Sequence, residues 1–154
     1  MSAVQPIPAG YPQVIPYLSV EGAASAIEFY KSVFGATESV RMLAPDGKVG
    51  HAEIKIGESV IMLADPFPEM GNKTPAALGG TPVTVMVYVE AVDAVVDRAV
   101  KAGATLERKV EDQFYGDRAG QFLDPFGHKW FVASHIEDVS PDEMERRAAK
   151  AMGG

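Results

Sequence analysis

"VIPYLSVEGAASAIEFYKSVFGATE" (residues 14–38) returns later in the chain as "VTVMVYVEAVDAVVDRAVKAGATLE" (residues 83–107). Val20-Glu21 falls on Val89-Glu90 at an offset of 69, and Gly35-Ala36-Thr37 falls on Gly103-Ala104-Thr105 at 68. One residue is therefore lost inside the second copy. Farther on, "HAEIKIGESVIMLAD" (51–65) lies over "GQFLDPFGHKWFVAS" (120–134), again at 69. Self-similarity at a long fixed period marks a duplicated structural unit.

Each copy has the same grammar. In the second, Val83, Val85, Val87 and Val89 alternate with Thr84, Met86 and Tyr88, the period of a strand. A helix follows over 23–34 or 92–102, with apolar residues spaced for one face and Gly35 or Gly103 at its end. Three more strands are expected in each copy, at 37–43, 49–56 and 59–65, then at 105–114, 119–123 and 129–134. The expected fold class is α+β, built of two βαβββ modules. The expected organisation is an N-terminal arm (1–11), a first module (12–66), a Pro/Gly-rich crossover linker (67–81), a second module (82–136) and a C-terminal helix and tail (137–154). That last helix opens on Ser140 as N-cap, Pro141 at its first position and Glu143 for a capping box.

Composition narrows the function classes. The 154 residues carry 21 acidic and 14 basic side chains, a net charge of −7, with no basic cluster beyond "ERR" near the C-terminus. A nucleic-acid partner is not expected. No apolar run approaches the ~20 residues of a membrane span. The start, "MSAVQPIPAGYPQ", has neither a basic segment nor an apolar core, so no signal peptide is expected there and the cytoplasm is the expected location. The absence of cysteine rules out disulfides, thiolate metal sites and cysteine nucleophiles.

The paired modules, with "AIEFYKSVFGAT", "AVDRAVKAGAT" and the closing "YGDRAGQFLDPFGHKWFVASH", resemble the vicinal oxygen chelate superfamily. This group contains glyoxalases, bleomycin-resistance proteins and extradiol dioxygenases, and the chain looks most like its PhnB-like subgroup. The resemblance implies an incomplete mixed β-barrel around a cleft, usually in a homodimer. In the metal-using families the ligands come from the first and last strands of each module. Carried onto this chain, those positions fall on Ile15, Met62, Thr84 and Phe131. None of these side chains can replace the imidazoles and carboxylates that hold zinc, nickel, manganese or iron. No metal and no other cofactor is expected.

The three histidines do not rescue such a site. His128 and His135 are seven residues apart and so face opposite ways along one strand. His51 and Glu53 do share a face, as a polar pair lining a cleft or as weak candidates for a catalytic pair or displaced metal ligands. The Glu53–His51 pair would work without metal as acid and base if the cleft raised the carboxylate's pKa.

Strand parity supplies a candidate ligand lining. Ile15, Tyr17, Thr84, Met86 and Tyr88 come from the first strands, and Met62 and Phe131 from the last. Phe122 joins His51 and Glu53 from the third-strand positions, and Tyr115 is a candidate stacking ring. Arg118, beside the hairpin tip Gly116-Asp117, has Asp117, Asp124 or an anionic ligand group within expected reach. The leading expectation is metal-free binding or sequestration of a small organic molecule. The alternatives are a lyase or isomerase of the same superfamily, metal-independent or with displaced ligands, and a dimeric accessory protein without a ligand.

Overall fold

The computed structural model describes residues 3–153. The chain divides into two compact units between Leu78 and Gly79. The first contains β1 (Tyr17–Ser19), α1 (Ala23–Phe34), β2 (Thr37–Leu43), β3 (Val49–Ile56), β4 (Ser59–Ala64), a 3-10 turn (Pro68–Met70) and α2 (Pro75–Leu78). The second contains β5 (Thr84–Tyr88), α3 (Val92–Lys101), β6 (Thr105–Asp112), β7 (Asp117–Leu123), β8 (Lys129–His135) and α4 (Pro141–Met152). Each unit is a βαβββ module with an open four-stranded mixed sheet, ordered β1-β4-β3-β2 or β5-β8-β7-β6. The first strand runs parallel to the last and the other pairs are antiparallel. The α+β expectation holds.

The helices form because their apolar residues recur on one face. α1 buries Ala23, Ala26, Ile27, Tyr30 and Val33, and α3 buries Val92, Val95, Val96 and Ala99. The sheet residues that complete these cores are Leu18, Ala52, Ile54, Ile61 and Leu63 in the first unit, and Phe122, Trp130 and Val132 in the second. Burying each large side chain contributes ~1.5–3 kcal/mol, so this alternation decides which face of each sheet is covered. Among the described residues, no helix is long and apolar enough to cross a membrane.

Several boundaries differ from the expectation for local reasons. β1 is shorter than the expected run because Pro16 has no N–H for the ladder, although its carbonyl accepts from Met62 N at 3.0 Å. The segment 67–81 is not wholly irregular: it holds the 3-10 turn and α2, whose Ala77 N–H donates to Thr74 Oγ1 at 3.3 Å.

The register of the second sheet carries the most consequential difference. Tyr17 pairs with Met62 and Met86 with Phe131, so the first and last strands of the two units correspond at an offset of 69. Glu53, however, pairs with Met62 while Gln121 pairs with Phe131, so the third strands correspond at 68. The residue missing from the helix is regained only in the β7–β8 turn, after the third strand. Phe122 is therefore the counterpart of Ile54, not of Glu53, and lies fully buried on the helix-covered face. It was expected beside Phe131; a slip of one residue puts it on the opposite side.

The C-terminal segment is held by polar contacts. Gly116 O accepts from Ile136 N at 2.9 Å and from Glu137 N at 3.0 Å. Ser140 Oγ accepts from Glu143 N at 3.3 Å, as an N-cap should. α4 has no buried residue, and its Arg147 reaches Phe114 O at 3.1 Å and Glu137 Oε1 at 2.7 Å.

Candidate functional site in the first unit

The face of the first sheet turned away from α1 carries Tyr17 from β1, His51 and Glu53 from β3, and Met62 from β4. The pairings Tyr17↔Met62 and Glu53↔Met62 place these side chains together. Residues 6–13 run alongside this face, and with it they enclose a recess of about 520 Å³. Its walls are Pro6, Ile7, Pro8, Tyr11, Pro12 and Gln13 from that segment, with Ile15, Glu53 and Met62 from the sheet side.

Glu53 is the charged group of this lining, and it is only 7% exposed. Tyr11 Oη donates to Glu53 Oε1 at 2.5 Å, and His51 Nε2 lies 2.7 Å from Glu53 Oε2. On its other side, His51 Nδ1 is 2.8 Å from Tyr17 Oη. An ionised carboxylate can only accept, so Nε2 carries a proton toward Glu53, and a neutral His51 then accepts the Tyr17 hydroxyl at Nδ1. The result is a chain of hydrogen bonds from Tyr17 through His51 to Glu53 and Tyr11. The Tyr11 hydroxyl, and then His51, hold the Glu53 carboxyl below the usual carboxylate range against the opposing effect of burial. The Tyr17 phenol is pushed up, first by burial and then by the Glu53 charge. An acid/base pair with a raised carboxyl pKa was one expectation for Glu53; the hydrogen bonds shift it the other way.

Tyr11 was not among the residues expected at the site. The only signal for it was an aromatic ring set in the Pro-rich "PIPAGYP" segment, which read as an arm. What the sequence could not supply is that the arm returns along the sheet.

In the second unit, Thr84, Met86, Tyr88 and Phe131 share one face through the β5–β8 register. Tyr88 Oη donates to Asp117 Oδ2 at 2.8 Å, and His135 Nδ1 lies 2.8 Å from Asp117 Oδ1. Arg118 points to the other side of the sheet. Its Nε and Nη2 donate to the two oxygens of Asp93 at 2.8 and 2.9 Å, and Nη1 donates to Asp112 at 2.9 Å. Its partners are thus Asp93 and Asp112 rather than Asp117 or Asp124, and the first of these pins β7 to α3. Tyr115 packs edge-on against Phe114 with ring centroids 5.3 Å apart, and burial pushes its phenol pKa up. Neither Arg118 nor Phe122 lies on the face that holds Phe131.

The family's metal-ligand positions fail on donor chemistry. Ile15, Met62, Thr84 and Phe131 stand where the resemblance places ligands, and none offers an imidazole nitrogen or a carboxylate oxygen. Among the described residues, no group of three or more His, Cys, Asp or Glu side chains is arranged to hold a metal ion.

A family profile described as the Glyoxalase/Bleomycin resistance protein/Dioxygenase superfamily matches residues 13–132. The chain belongs to that superfamily. It is 47% identical over 137 residues to the uncharacterized protein Rv0887c of Mycobacterium tuberculosis, covering 87% of this chain and 81% of that protein. The crystal structure of the Arabidopsis thaliana At5g48480 product superposes with a TM-score of 0.63 at 30% identity, covering 80% of this chain and 98% of the other. A PhnB protein from Bacillus cereus, titled a putative 3-demethylubiquinone-9 3-methyltransferase, superposes with a TM-score of 0.64 at 18% identity, covering 80% and 99%. At that identity the last comparison speaks for the fold alone.

Proposed function

We propose that this chain binds or sequesters a small organic molecule in the recess of its first unit, without a metal at the positions the superfamily uses. The observation that carries this reading is the lining: apolar and aromatic walls around a single buried carboxylate, in a space of about 520 Å³. Small-molecule sites have this makeup, with a few placed polar groups in a concave apolar surface. Ile15, Glu53 and Met62 form the sheet side of the recess, Tyr11 faces them from the 6–13 segment, and Tyr17 extends the site on the same sheet face. Thr84, Met86, Tyr88 and Phe131 form a second candidate surface in the other unit. A homodimer in the cytoplasm is part of the proposal. It is supported by the resemblance and by the exposed apolar residues Val14, Tyr17, Val83, Met86 and Tyr88 on or beside the edge strands β1 and β5.

The reading is tested by filling the recess. Met62→Trp and Ile15→Trp should abolish binding of naphthyl probes in native mass spectrometry or calorimetry while the unfolding temperature stays near that of the parent. Binding retained in both variants would place the ligand elsewhere. Stoichiometric zinc, nickel, manganese or iron in protein purified without chelators would sink the metal-free part, and sedimentation equilibrium tests the dimer.

One observation favours a second reading, a metal-independent enzyme. Glu53 orients His51 so that Nδ1 faces outward to Tyr17, the arrangement of a positioned base. In that case His51, not Glu53, takes the substrate proton, and His51→Gln abolishes turnover while leaving ligand affinity within about twofold.

A further inference from the structure

The recess is electrostatically one-sided. Its nine lining residues include one anionic side chain and neither lysine nor arginine. The partners of the Glu53 carboxylate are the hydroxyl of Tyr11 and the imidazole of His51. Lys55, the next basic residue along β3, does not line the recess. Among the described residues no guanidinium or ammonium pairs with this buried carboxylate, which is stabilised by dipoles, so it still attracts positive charge and repels negative charge in the same space. A low carboxyl pKa, as at Glu53, keeps that charge in place at neutral pH. The donor on Oε1 comes from the 6–13 segment rather than from the sheet, so a ligand donor can take its place without disturbing a strand.

We infer that the molecule taken up here is an organic cation, a protonated amine carried on an apolar body. Its N–H replaces the Tyr11 hydroxyl on Glu53, and its body lies against Pro8, Ile15 and Met62. The inference rests on the small-molecule reading of this recess and adds the charge class of the ligand. An ammonium–carboxylate hydrogen bond is stronger than the phenol–carboxylate bond it displaces, which gives the exchange its direction. A neutral ligand of the same shape gains the apolar contacts and at most exchanges one neutral hydroxyl for another on Glu53, and an anionic one meets repulsion from Glu53.

The test uses three probes of one shape on the full chain by calorimetry near neutral pH: 1-naphthylmethylamine, 1-naphthalenemethanol and 1-naphthoate. The amine should bind about tenfold more tightly than the alcohol, and the naphthoate most weakly. Glu53→Gln should bring the amine to within about twofold of the alcohol measured on the same variant. Tyr11→Phe removes the competing donor and should tighten the amine alone by about threefold. If Glu53→Gln does not fold, Tyr11→Phe carries the test. Equal affinity for all three probes, or amine affinity unaffected by Tyr11→Phe, would overturn the cation assignment and leave the small-molecule reading standing. Binding of none of them would overturn both.

Discussion

Asp65 and Ser134 do the same work at corresponding places in the two units. Asp65 Oδ1 accepts from Gly22 N and Ala23 N at 2.9 Å each, and Oδ2 accepts from Val49 N at 2.7 Å. Ser134 Oγ accepts from Val92 N at 3.1 Å and donates to Val89 O at 2.6 Å. In both units the residue following the last strand's buried alanine satisfies the first turn of the helix, which has no cap from its own N-cap side chain. Asp65→Ala strands three backbone donors and should cost about 3 kcal/mol, whereas Ser134→Ala should cost about 1 kcal/mol. Urea unfolding of the two variants checks the difference.

Gly116 should tolerate no side chain. Its φ of 100° is a left-handed conformation, and a Cβ there would collide with the backbone carbonyl of Glu137. Gly116→Ala should cost about 1–3 kcal/mol from the backbone conformation alone. It should also free the chain beyond β8, and faster amide exchange over residues 136–152 is the readout.

His135 makes the second unit sensitive to pH. Asp117 first, and then Asp138 at 2.7 Å from Nε2, push the imidazole pKa above its ordinary value. A folded-state pKa above the unfolded one means the contribution is full below about 6.5 and disappears as pH rises through the folded value. We expect the His135 ring protons to titrate above 6.5 in NMR spectra. His135→Gln should flatten the fall in stability across that window.

Phe122 and Phe131 separate core from candidate surface. Phe122→Ala should cost about 3–5 kcal/mol, because the ring is enclosed under α3 beside Trp130. Phe131→Ala, half-exposed on the other face, should cost about 1 kcal/mol. Trp130, the single tryptophan, is fully buried on the covered side, so its fluorescence should report unfolding of the second unit.

Most of the fold was readable because helix and strand periods are properties of neighbouring residues. α1 starts at Ala23 and ends before Gly35 as its pattern requires, and the capping sequence Ser140-Pro141 starts α4 where it should. The strand parity that joins Tyr17, Met62, Glu53 and His51 on one face was equally local. The misplacement of Phe122 arose where a compensating residue is inserted, since both possible positions leave the overall offset at 69. Arg118 found Asp93, a partner 25 residues away on α3, and Tyr11 found Glu53, 42 residues away. Contacts over such distances depend on how the chain returns on itself, which no short window contains.

The late return of that one residue in the β7–β8 turn reaches beyond packing. With the third strands matched at 68, the counterparts of His51 and Glu53 are Ala119 and Gln121, which carry neither the imidazole nor the charge. The two repeated halves thus carry different side chains at matched backbone positions. Of the matched pair Glu53 and Gln121 only the first is charged, and occupancy of the Glu53 recess should saturate at one ligand per polypeptide.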